Sequence, residues 1–107
     1  MIFTTTVTTP FYDYNGRKYM KFEIPHDIKH KIDIHDVGMS CGSVDGNDIR
    51  VKVQFRYNRP VCNCIGLTPV RSMKAGDAVS IDIQFRGVWN NHGTVGNTWV
   101  LKSIEKL

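Results

Sequence analysis

Ile49-Arg50-Val51-Lys52-Val53-Gln54-Phe55-Arg56-Tyr57 alternates without a break between apolar or aromatic side chains at odd positions and Arg, Lys or Gln at even ones. A period of two puts these sets on opposite faces of an extended strand. The stretch therefore predicts one half-buried strand with a core face and a basic ladder. The pattern recurs on both sides of it. Lys18 to Ile24 sets Met20, Phe22 and Ile24 against Tyr19, Lys21 and Glu23. Ala78 to Val88 sets Val79, Ile81, Ile83 and Phe85 against Ser80, Asp82, Gln84 and Arg86. Ile2 to Thr9 is rich in threonine with Ile2 and Val7, residue types that fit a pleated strand better than a helix. Thr98 to Ile104 reads as a last strand.

The connections carry turn chemistry. Asn15-Gly16 between the first two strands is the strongest short hairpin signal, because both central residues of a type I′ turn need positive φ. Pro10 breaks or ends the first ladder, and Pro25 ends the second strand. His26 to Asp36 is ambiguous: Ile28 and Ile32 have helical spacing, whereas Ile32 and Ile34 have strand spacing. It reads as an irregular segment running into a short strand. Gly38, Gly42 and Gly46 mark turns. Residues 58–77, with Pro60, Gly66, Pro69 and Gly76, form a long connection with a short helix near Val70–Lys74. Trp89 to Asn97 reads as a polar, glycine-bearing hairpin loop with a tryptophan on each side. Five or six short strands with glycine-rich turns predict an all-β chain, as a small closed or nearly closed barrel or else a sandwich.

At 107 residues the chain suits one domain, residues 1–107. With 41% hydrophobic and 22% charged residues it has globular rather than disordered composition. No apolar run is long enough for a transmembrane helix. Met1 to Thr6 lacks the basic and apolar regions of a secretory leader. Cys41, Cys62 and Cys64 are too few and too oddly spaced for a disulfide framework and read as free thiols of a reducing cytoplasm. That cytoplasm would be a host's if the chain is viral. No membrane association is expected.

The net charge of +4 is modest, but its distribution is not. Residues 49–76 hold Arg50, Lys52, Arg56, Arg59, Arg71 and Lys74 and no Asp or Glu, directly after the acidic stretch that contains Asp27, Asp33, Asp36, Asp45 and Asp48. Such segregation suits a surface with one binding face.

Catalysis is not expected. The sequence has no P-loop, G-x-G-x-x-G or H-E-x-x-H motif, and Asp45-Gly46-Asn47-Asp48 is ordinary turn chemistry. His26, His30 and His35 with Cys62 and Cys64 offer metal-ligand types, but the paired spacing of zinc sites is only half present, so no metal or other cofactor is expected. Single-strand nucleic-acid binding is better supported, because it needs cations that track phosphates and rings on which bases stack. Tyr12, Tyr14, Arg17, Tyr19 and Lys21 cluster around the first hairpin, Arg50, Lys52, Arg56 and Arg59 lie along and after the ladder, and Arg86, Trp89 and Trp99 flank the last hairpin. In this reading Lys52, Arg56, Arg59 and Arg86 contact phosphates, while Tyr12, Tyr14, Trp89 and Trp99 stack on bases.

Met73-Lys74-Ala75-Gly76-Asp77-Ala78-Val79-Ser80-Ile81, followed by Phe85-Arg86-Gly87-Val88-Trp89, resembles the second half of OB-fold single-stranded-DNA-binding proteins. There a Lys-x-Gly-Asp turn introduces a strand and a long hairpin leads to the final one. The likeness covers the last third of the chain, and the small size resembles compact phage and viral proteins. It implies an OB-like barrel with at most one short helix, binding single strands across its face and hairpin loops and often working as an oligomer. The expected function is therefore non-catalytic binding of single-stranded nucleic acid, DNA in the first instance, with homo-oligomers among the expected states. The alternative is a protein–protein module, such as a virion component or an inhibitor of a host factor, which edge strands and aromatic loops would serve equally well.

Overall fold

The computed structural model describes residues 1–107. Strand β1 (Ile2–Tyr14) turns at Asn15-Gly16 into β2 (Arg17–Glu23). Both turn residues have positive φ, 54° and 79°, as the Asn-Gly pair predicts. The threonine-rich half of β1 pairs antiparallel with β8 (Ala78–Asn91), and its second half pairs with β2. Pro10 does not end this strand. Register shifts between Val7 and Tyr12 let β1 bend past the residue that cannot donate a ladder hydrogen bond.

The β2 strand pairs with β4 (Asp48–Lys52), and β8 pairs with β9 (Thr94–Lys106) across the two-residue turn His92-Gly93. A parallel bridge between Lys52 and Val100 then joins β4 to β9. The circuit β1-β2-β4-β9-β8 returns to β1 and closes a five-stranded barrel, antiparallel at every seam except β4–β9. This architecture is compatible with an OB-like fold. Short strands extend it: β3 (Val44–Asp45) beside β4, β7 (Asn63–Ile65) beside β9, and a separate hairpin of β5 (Phe55–Arg56) and β6 (Arg59–Pro60).

The barrel is filled by the inward set of each alternating strand. Met20 and Phe22, Ile49 and Val51, Val79, Ile81 and Ile83, with Leu101 and Ile104, are all buried in one cluster. Each such side chain contributes roughly 1.5–3 kcal/mol by leaving water. The turn Lys74-Ala75-Gly76-Asp77 leads into β8 as its sequence suggests: the Asp77 carboxylate accepts the Lys74 backbone N–H at 2.8 Å, and Gly76 takes φ 93°.

Three further local expectations are corrected. The alternating run does not form one strand through Tyr57: β4 ends at Lys52, and the next two alternations build β5, which pairs only with β6. His26–Asp36 is helical throughout, with α1 (Lys29–Asp33) between two 3-10 turns. Ile32 is sealed while Ile34 is 67% exposed, so the i, i+4 spacing of Ile28 and Ile32 wins over the strand spacing. The segment 89–97 is not a loop, because β8 and β9 run on to a two-residue turn.

Candidate nucleic-acid interface

Outward-facing residues of β2 and β4 meet rung by rung. Tyr19 lies opposite Lys52 and Lys21 opposite Arg50, while the intervening Met20 and Val51 point into the core. Across the other edge of β2, Tyr12 of β1 faces Tyr19, with ring centroids 5.8 Å apart and planes tilted by 35°. The Arg50 guanidinium sits 5.6 Å from the Tyr19 ring centroid in a cation–π arrangement, and its Nη2 donates to the Gly42 carbonyl at 3.5 Å, while no carboxylate pairs with it. The Asn15-Gly16 turn carries Tyr14, 65% exposed, and Arg17 on its two flanks.

Trp89 of β8 supplies the opposite wall. It pairs with Gly96 of β9, and the absence of a side chain there is required. A Cβ on Gly96 would overlap the Trp89 indole and lie 2.6 Å from the Cys41 carbonyl oxygen. The indole thus rests on bare backbone, half-buried, with its remaining surface toward the groove. A buried polar lock holds the neighbouring loop in place. The Asn97 amide donates to the His35 carbonyl and to Oδ1 of Asp36, each at 2.7 Å, and the Ser43 hydroxyl donates to Oδ1 of Asn97 at 2.6 Å. Oδ2 of Asp36 accepts the Val44 N–H at 2.9 Å. Cys41 N–H donates to the Val95 carbonyl at 2.9 Å, which stitches the loop between β2 and β4 onto the β8–β9 hairpin.

Between these walls runs a groove of about 550 Å³ bounded by Tyr12, Tyr14, Arg17, Tyr19, Lys21, Arg50 and Trp89. It continues through Lys52 into a second depression of about 310 Å³ that Arg86 borders. The five ion pairs of the chain involve Lys21 with Asp45 at 3.2 Å and Lys18 with Asp13, but never Arg17, Arg50, Lys52 or Arg86. The Lys21 pair is solvent-exposed and weak. The groove is therefore a site of uncompensated positive charge between aromatic walls.

The structure gathers most of the residues singled out in the sequence, but not all. Trp99 is 3% exposed. Its ring packs edge-on against Phe85 and His35, each with centroids 5.3 Å away, so it has no face to offer a base. A bulge at Arg86, where Phe85 pairs with Trp99 and Gly87 with Thr98, separates the two tryptophans' environments. Arg56 and Arg59 leave the groove on the β5–β6 hairpin. Cys41, Asn15 and Asn91 line the groove unforeseen. Gly96 was equally invisible, because its role depends on which residue it pairs with.

The histidines and cysteines do not converge: no group of three or more His, Cys, Asp or Glu side chains gathers in a geometry that could hold a metal ion. All three thiols are free. Burial, with a contribution from neighbouring Cys64, pushes the Cys62 thiol up from 9.0 to about 11, so it is a poor nucleophile near neutral pH. Comparison of the chain with protein-family models, with curated proteins and with solved structures gives no match.

Proposed function

We propose that this groove binds single-stranded nucleic acid, DNA in the first instance, without catalysis. One observation carries the reading: cations without carboxylate partners and accessible rings from three separate parts of the sequence border the same groove. Arg17, Arg50, Lys52 and Arg86 would take phosphates, and Tyr14, Trp89 and the Tyr12–Tyr19 pair would take bases. Stacking needs bases whose faces are free, which favours single strands over duplex. The closed barrel supports the likeness to OB-fold single-stranded-DNA-binding proteins, in which ligands lie across the strand face and hairpin loops.

The test is a titration of labelled oligonucleotide at about 50 and about 200 mM salt. Four phosphate contacts on a single strand give a slope of log affinity against log salt near −3, at about 0.7 per contact. An affinity indifferent to salt would sink the proposal. A protein-docking role has its own supporting observation. The β7 strand ends the sheet, and Val61, Ile65 and Leu67 around it are exposed. Oligonucleotide binding that competes with nothing on that edge separates the two roles.

A further inference from the structure

The arginines missing from the groove form an arrangement of their own. Arg56 and Arg59 are cross-strand partners on the β5–β6 hairpin, so their side chains emerge on the same side of the ribbon. Like charges set directly opposite each other destabilise a strand pair. No carboxylate relieves them, since neither arginine belongs to any ion pair of the chain and residues 49–76 hold no acid.

The turn between them is unusual for the same hairpin. Tyr57 and Asn58 both take left-handed φ, 54° and 61°. Asn accepts that conformation readily, whereas Tyr does so at a cost. Tyr57 recovers nothing by burial, being 89% exposed, and the Arg56 guanidinium hovers 5.9 Å from its ring centroid. Two opposed cations and an unburied ring in a costly backbone state serve an external anion better than they serve folding.

The hairpin is also held in one position. The Arg71 guanidinium lies 4.9 Å from the Phe55 ring and 5.9 Å from that of Phe11, and its Nη2 donates to the Asn58 carbonyl at 3.1 Å. Val61 N–H donates to the Gln54 carbonyl at 2.8 Å and closes the stem. A depression of about 270 Å³ runs from the groove to this hairpin, sharing Arg17 and Lys52 with the first and Phe55 with the second.

We propose that the β5–β6 hairpin is a phosphate clip that takes the same single strand as it leaves the groove, with Arg56 and Arg59 on the backbone and Tyr57 against a base. This rests on the reading of the groove as a single-strand site. The phosphate relieves the arginine pair, and affinity rises in a step once the strand reaches from groove to hairpin.

Fluorescence anisotropy with oligo-dT of about 5 and about 15 nucleotides tests it, spanning the range of site sizes for such barrels. Wild type binds the longer strand more tightly. The Arg56→Gln/Arg59→Gln double variant loses about tenfold for the longer strand and under about twofold for the shorter. Its salt slope falls by about 0.7 for each phosphate no longer contacted. Tyr57→Asn keeps the left-handed turn and weakens only the longer strand. Thermal melts establish that both variants fold. A double variant with the wild-type length step overturns the clip and leaves the groove standing. Equal losses at both lengths also overturn it, because the hairpin then acts through the groove. Wild-type protein that binds neither length overturns the groove reading and the clip with it.

Discussion

Arg50 and Lys52 belong to the same unbroken alternation as Arg56, yet they end in different regions. The first two stand on the barrel wall, where a parallel bridge to β9 and full pairing with β2 fix them beside Tyr19. The third stands on a hairpin that pairs only with itself. Alternation predicts which way a side chain points only while the chain stays in one sheet. At Val53 the backbone N–H still donates to the Lys18 carbonyl, but the ladder stops there and the next residues pair only within the β5–β6 hairpin. The lesson is that a basic ladder in sequence became a groove floor plus a separate hairpin tied to the barrel through Phe55, Phe11 and Arg71.

The sharpest way to break this comparison is to shave the core under each region. Ile49→Ala, on the sealed face of β4, should lower unfolding free energy by roughly 2–5 kcal/mol in chemical denaturation. Phe55→Ala removes a half-buried ring that packs 5.2 Å from Phe11, and should cost roughly 1–2 kcal/mol. Equal losses would mean that the hairpin is part of the barrel core and not an appendage.

A second variant probes the wall of the groove. Gly96→Ala forces either the Trp89 indole or the Cys41 backbone to move, at about 1–3 kcal/mol of stability. Oligonucleotide affinity should fall with it, as the stacking surface is displaced. Unchanged melting and unchanged affinity together would show that the indole is not seated on that glycine.

The smallest effect lies beyond the hairpin, at Cys62. Its folded pKa lies above the ordinary thiol value, so the unfolded chain gives up the proton first. The associated stability is intact below pH 9.0 and declines as pH rises toward about 11. Stability measured across that window should drop more in wild type than in Cys62→Ala.

Much of this was legible because local chemistry and tertiary pairing agree. Asn15-Gly16 dictates its own turn, and Met20-Lys21-Phe22 fixes which face of β2 is core. The groove residues on β1, β2 and β4 follow from that phase alone. Trp89 and Trp99 show where legibility stops. Both flank the same glycine-bearing stretch, but one pairs with Gly96 and the other with Phe85, on opposite sides of a one-residue bulge. A bulge changes the phase of a strand without leaving a mark in the alternation. The helical turn around Ile32 was hidden for a similar reason, since three isoleucines at 28, 32 and 34 satisfy either period until packing seals Ile32 and leaves Ile34 outside.

The two tryptophans also provide the most direct test of the central claim. Trp89 borders the groove and Trp99 is sealed. Poly-dT titrated into wild-type protein should therefore quench part of the tryptophan emission saturably, and the quench should vanish in Trp89→Phe while Trp99 continues to emit. No quench in wild type, or an equal quench in the variant, would contradict the account.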